Sequence, residues 1–132
     1  MKKLLFTLFT ILTIANAWGQ TGCPDCIAML PDTLPVDTIF IGQLPDGKVG
    51  EPYDADVSFR MPKSTTPVAA SDSTVIPNIP IDRIRIESII DVPEGIAWEA
   101  SQLEFRVSDE TDGCAKFCGI PTEPGLYMLE VN

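Results

Sequence analysis

Four cysteines are the residues of this 132-residue chain best suited to chemistry, and they come as two pairs: Cys23 and Cys26 in "CPDC", Cys114 and Cys118 in "CAKFC". Three chemistries compete. Two knuckles brought together would offer zinc four thiolates, the spacing of the second pair being acceptable but loose. A thioredoxin-like centre needs its cysteines at the start of a helix that follows a strand, whereas "CPDC" sits in a Pro-rich arm with no helical pattern after it. In an exported protein the oxidising compartment favours disulfides. Four cysteines permit three pairings. If "CAKFC" is a regular strand, Cys114 and Cys118 face the same way but stand roughly 13 Å apart at about 3.3 Å per residue. A bridge spans at most roughly 7 Å, so a bond between them needs a bend or bulge. The competing pattern ties the arm to this segment, closing a loop of about 90 residues and contributing on the order of 4 kcal/mol.

The chain has no histidine, which excludes Ser-His-Asp and Cys-His catalysis. Carboxylates abound, but nothing selects one pair as general acid and base, so no catalytic residue and no cofactor is implied. The nearest approach to a cation site is "SDETDG", with Asp109, Glu110 and Asp112 close together. Aligned with an EF-hand loop starting at Ser108, it places Gly119 where the bidentate glutamate belongs. A solvated hairpin turn is the better reading.

These residues need elements to hold them. "TIFIG" (Thr38 to Gly42) is a short β-branched run and a first strand. "LPDGKVGEPYD" follows as a turn region around Asp46-Gly47. "DADVSFRM" alternates, placing Ala55, Val57, Phe59 and Met61 on one face and Asp56, Ser58 and Arg60 on the other, the pattern of a half-buried strand. Pro62 to Pro80 has no periodicity and reads as a long surface loop. "IDRIRIESIID" places Ile84, Ile86 and Ile90 inward against Arg83, Arg85 and Glu87 outward. "VPEG" turns the chain, "IAWE" is a short strand with Trp98, and "LEFRV" sends Leu103, Phe105 and Val107 inward. "CAKFC" and "LYMLEV" are the last strands, the latter with Tyr127, Leu129 and Val131 on one side. No apolar spacing of three and four persists long enough for a sizeable helix. Short strands with Pro/Gly turns between them, in a chain with 12 Pro and 9 Gly, predict an all-β fold, a β-sandwich.

The N-terminal "MKKLLFTLFTILTIANAWGQ" places two lysines before an apolar run and then "ANA", the layout of a secretory signal peptide cleaved after Ala17. The run is short for a membrane span, and no span is expected once it is removed. A lipoprotein reading, with "QTG" before Cys23, is weakened by Gln20 where an aliphatic residue belongs. The domains expected are therefore a leader (1–17), an irregular arm (18–36) and a sandwich (37–132). The net charge of the whole chain is -10; Lys2 and Lys3 lie in the leader, so the remainder is more acidic still. Nucleic acid and anionic membrane surfaces repel such a chain.

"GKVGEPYDADVSFRMP", "IDRIRIESIIDVPEGIAWE" and "GCAKFCGIPTEPGLYMLEV", in that order, resemble the immunoglobulin-like, cadherin-like (He-PIG-type) domains of bacterial surface and secreted proteins, most of all those of the Bacteroidota, which often add a C-terminal sorting domain. The resemblance runs from about Val49 to the end and rests on the "G-x-P-Y" entry, the "P-x-G" turn with Gly95, and a closing motif with Gly119, Pro121, Gly125 and Tyr127. It implies an immunoglobulin-like sandwich whose last strand, which in the family follows the tyrosine-bearing one, is missing, either because the chain is a fragment or because the edge stays open to strand donation in trans. Tyr127 resembles the tyrosine corner of such sandwiches, its hydroxyl bonding to backbone a few residues upstream; an ordinary core tyrosine is the alternative. The implied function is that of a non-enzymatic secreted or cell-surface structural or adhesion module, with a protein or glycan as partner. Two alternatives stand beside it: a small exported four-cysteine metal or redox protein, and a carbohydrate-binding module with Trp18 or Trp98 stacked on a sugar.

Overall fold

A computed structural model describes Cys23 and residues 25–132; the expected leader, its cleavage point, the lipoprotein motif and Trp18 lie outside the described residues. The protein is built from antiparallel strands with almost no helix: β1 (Phe40–Ile41), β2 (Tyr53–Arg60), β3 (Arg83–Arg85), β4 (Ile89–Ile90), β5 (Ile96–Ala100), β6 (Glu104–Arg106), β7 (Asp112–Gly119) and β8 (Glu130–Val131), with one four-residue helix, α1 (Thr66–Ala69). The expected all-β class is observed. β1, β2, β7 and β5 form one four-stranded sheet in that order, while β3 pairs with β6 and β4 with β8.

The sheet is organised around β2 and β7, paired along their whole length from Tyr53↔Gly119 to Arg60↔Asp112. β5 lies on the other side of β7, from Ile96↔Gly119 to Ala100↔Ala115. Side chains alternate between the faces of a strand, so these registers write the rows directly. Trp98, Phe117 and Ala55 form one row of the inner face, and Ala100, Ala115 and Val57 the next. Val57, Phe59, Ala115 and Phe117 are buried there together with Ile86 and Phe105 from the β3–β6 side. Phe105 is fully buried and meets Phe59 edge to face, with ring centroids 5.6 Å apart. Burying a side chain of that size stabilises the fold by roughly 2–3 kcal/mol.

Two of the expected alternations break. Ile84 and Ile86 turn inward, but β3 ends at Arg85, and Glu87 and Ser88 hydrogen-bond out of register to the Asn132 carbonyl. The interruption shifts the parity, so Ile89 packs on the core while Ile90 is 42% exposed. Leu103 lies just before β6 and is also exposed, unlike Phe105 and Val107 behind it. The stretch 62–80 is a loop closed at its neck, where Ser64 bridges Pro80 and Thr65 N–H donates to the Ile79 carbonyl at 2.9 Å. Pro67 at the first turn of α1 fits a position where no N–H is needed.

The turn "VPEG" is closed by Ile96 N–H on the Pro93 carbonyl, with Gly95 at φ +89°, where a type II turn requires positive φ. Opposite it, Gly119 stands at φ +134°. A Cβ on Gly95 would lie 2.0 Å from the Ile120 carbonyl oxygen, and one on Gly119 would lie 2.1 Å from that of Gly95. The two glycines let the ends of β5 and β7 touch backbone to backbone. Gly50 has a similar φ of +78° but open space around it. Gly95→Ala therefore combines backbone strain with a clash and is expected to destabilise by about 3 kcal/mol, against about 1 kcal/mol for Gly50→Ala; urea denaturation midpoints check the difference, and equal losses would refute the close contact.

Candidate functional site: the stapled arm and the groove

The other face of the sheet carries the chemistry singled out in the sequence. Its rows are Ala97, Cys118 and Asp54; Glu99, Lys116 and Asp56; then Cys114 beside Ser58; then Asp112 beside Arg60. Over this face lies the N-terminal arm, which forms no strand or helix from residue 25 to 36. Two disulfides fasten it: Cys23 to Cys118 and Cys26 to Cys114, with Cα separations of 5.6 and 5.9 Å. β7 is regular, so Cys114 and Cys118 share a face and each takes a partner from the arm. All four sulfurs are bonded to one another in pairs, and no thiolate remains for a zinc set.

Between and beyond the disulfides the arm is held by polar side chains of β2. The Met29 N–H donates to Ser58 Oγ at 2.8 Å and the Ile27 N–H to Asp56 Oδ2 at 3.3 Å. Arg60 forms a bidentate pair with Asp112 at 2.6 and 2.8 Å, and its Nη1 donates to the Leu34 and Pro35 carbonyls. Asp37 accepts from the Lys63 and Ser64 N–H groups and the Ser64 hydroxyl, anchoring the arm where β1 begins. Lys116, on β7 between the two cysteines, reaches Asp54 at 3.0 Å and Asp56 at 3.2 Å. The expected solvent face of β2 is thus covered at one end, where Ser58 is buried and Arg60 half-buried, while Asp54 and Asp56 stay exposed. Composition gave no signal for this clamp; the alternation did place Asp56, Ser58 and Arg60 on the face it uses.

These contacts shift ionisation. The Arg60 guanidinium holds the Asp112 carboxyl below its ordinary value against some desolvation, and the Ser64 hydroxyl with two backbone N–H groups does the same for Asp37. The Asp54 and Asp56 carboxylates raise Lys116 above the usual lysine value.

The calcium candidates are not gathered into a ligand set. Asp112 is turned to Arg60, Glu110 caps the Thr111 and Asp112 N–H groups, and Asp109 accepts from Ser108. Among the described residues no three His, Cys, Asp or Glu side chains converge on a common point. Trp98 is half-buried and packs against the core from the inner face of β5. The Tyr127 hydroxyl does donate to the Glu123 carbonyl four residues upstream, at 3.2 Å, but the ring is exposed and not in the core. Tyr53 makes a similar latch, its hydroxyl on the Pro45 carbonyl at 2.7 Å and its ring against Gly47. Pro121 is buried, and its carbonyl accepts from the Gly50 N–H. Both tyrosines line an open groove of about 550 Å³ between residues 44–49 and 121–129. No helix among the described residues is long and apolar enough to cross a membrane.

Comparison of the chain with family models, curated proteins and solved structures finds no match.

The two disulfides are nested, with sequence separations of 95 and 88. Once either is closed, the other closes only a ring of about nine residues, so by chain entropy losing one costs about 2–3 kcal/mol while losing both costs about 7 kcal/mol. Urea unfolding of the Cys26→Ser/Cys114→Ser protein, of the Cys23→Ser/Cys118→Ser protein and of the four-serine protein measures this; equal steps for the first and second removal would refute the nesting. A second expectation concerns acid. A carboxylate whose native pKa is depressed contributes stability present above its unfolded value of about 4 and lost as pH falls through the native one. Stability against pH is therefore expected to fall below about pH 4, and Asp112→Asn is expected to lower the plateau and flatten that acid limb. Parallel limbs in the two proteins would show that Asp112 does not contribute.

Proposed function

We propose that this chain is an exported, non-enzymatic β-sandwich module of immunoglobulin-like type that acts at or beyond the cell surface as a structural or adhesive unit. The observation that carries the reading is the pair of disulfides between the arm and β7. Such bonds persist in oxidising compartments and are reduced in the cytosol, which agrees with the signal-peptide pattern of residues 1–17. They also take up the thiolates that a zinc set would use, and they bridge neither "CPDC" nor "CAKFC" internally, as a thioredoxin-like centre would. Support for the immunoglobulin-like type comes from the antiparallel sheets around one core and from the Tyr127 latch to upstream backbone. The acidic surface suits a protein that stays soluble and avoids polyanions. Adhesion, a Bacteroidota origin and a C-terminal sorting domain follow from the resemblance of the "G-x-P-Y" and "G-x-P-x-x-x-G-x-Y" motifs alone.

Expression with the native leader in a bacterial host tests the reading. The expected product lies outside the cytoplasm, begins at Trp18 by mass spectrometry, titrates no thiol and holds no metal. An uncleaved cytoplasmic product, or free thiols with stoichiometric zinc, would overturn it.

A further inference from the structure

The groove of about 550 Å³ differs from an ordinary surface cleft in what floors it. Phe117 belongs to the buried core, and Tyr53, Ile96 and Leu129 pack directly on that core while also lining the groove. Its floor is continuous with the core, so an apolar side chain entering it would extend that core.

One wall of the groove is a segment with the side-chain pattern of a strand. Leu126, Tyr127 and Leu129 line the groove, and exposure alternates along the segment: Leu126 and Met128 are 94% and 81% exposed, against 36% for Tyr127 and a half-buried Leu129. That alternation has the period of two of a β-strand. Pairing nevertheless begins only at Glu130, with Ile90. Among the described residues, no backbone N–H or C=O from Gly125 to Leu129 takes a backbone partner. An exposed, apolar, unpaired row of this kind is a template for a further strand.

Charge selects the occupant. The groove is lined by Asp46 and Glu123 against a single base, Lys48, and Glu51, Asp91, Glu94 and Glu130 stand one or two positions from lining residues along the chain. A second copy would bring the same acids to the same place, and like charges across a strand pair are destabilising. We infer that Gly125 to Leu129 and the groove behind it receive an extended segment of another protein in which apolar residues alternate with lysine or arginine. The apolar side chains fill the groove over Phe117 and Ile96, the backbone pairs with Gly125 to Leu129, and the basic side chains meet the acidic rim. This deepens the reading of a surface module by naming its partner's chemistry, and the two fail separately, because export and thiol state are measured without the peptide and groove binding without the leader.

The test uses the purified oxidised protein and an acetylated octapeptide of alternating valine and lysine, with a valine–glutamate octapeptide as its charge-reversed counterpart. The expected result is saturable binding of the lysine peptide that weakens as salt is raised, with slowed amide exchange from Leu126 to Leu129 and affinity at least about tenfold above the glutamate peptide. Met128→Pro removes one N–H from the row at an exposed position and is expected to abolish binding. Amide exchange in the unsubstituted protein decides the matter should that variant fail to fold. Equal binding of the two peptides, binding without protection at Leu126 to Leu129, or no binding at all would overturn the proposal. So would protection of these amides that rises with protein concentration in the absence of peptide, which would make the occupant a second copy.

Discussion

β7 is buried on both faces, and the rest of the structure follows from how each face is satisfied. Ala115 and Phe117 point into the core, while Cys114, Lys116 and Cys118 point to the other side. A strand in that position needs cover on two sides, and a chain of this size has little apolar surface to spare for a second core. The cover on the outer side is therefore covalent and polar: two disulfides, and a set of hydrogen bonds to an arm that has no secondary structure of its own. An irregular segment of this kind loses conformational entropy on ordering that few apolar contacts repay. Covalent attachment shifts most of that loss onto the unfolded state.

The polar clamp and the disulfides divide the work. Exposed ion pairs are weak in isolation, but Arg60 is also hydrogen-bonded to the arm's carbonyls, and its bidentate hold on Asp112 fixes the guanidinium for that purpose. Lys116 is neutralised by Asp54 and Asp56 in the row between the two cysteines, so the sheet face beneath the arm carries no unpaired cation. With the arm held over the outer face, the inner face is left to meet β3, β6 and the segment leading to β8. There the cover is incomplete, and the groove beside Tyr53 and Tyr127 is the result.

Legibility along the chain tracked the persistence of alternation. β2 and β7 are each eight residues long and paired throughout, so the inward positions Ala55, Val57 and Phe59 were readable from the period of two. Ile90 and Leu103 were misread because the strands around them are two or three residues long. A single unpaired residue between short strands reverses which face follows, and nothing local records it. The "LYMLEV" pattern was read as a full strand, yet only Glu130 and Val131 find a partner. Pairing needs an available edge as well as a suitable sequence.

From residue types alone, the chain was determined to be β-rich, punctuated by Pro and Gly, without histidine-based catalysis, and strongly acidic. The spacing of Cys114 and Cys118 on a regular strand also made their direct pairing geometrically unfavourable. Only the tertiary structure decided that Cys23 joins Cys118 and Cys26 joins Cys114, because the choice depends on which way the arm runs across the sheet. It alone placed Ser58 and Arg60 beneath that arm, tied Asp37 at the arm's end to Lys63 and Ser64, and brought Gly95 against Gly119. These are contacts between segments tens of residues apart. Local periodicity can say which way a side chain points, but what it meets there is set by the packing of the whole chain.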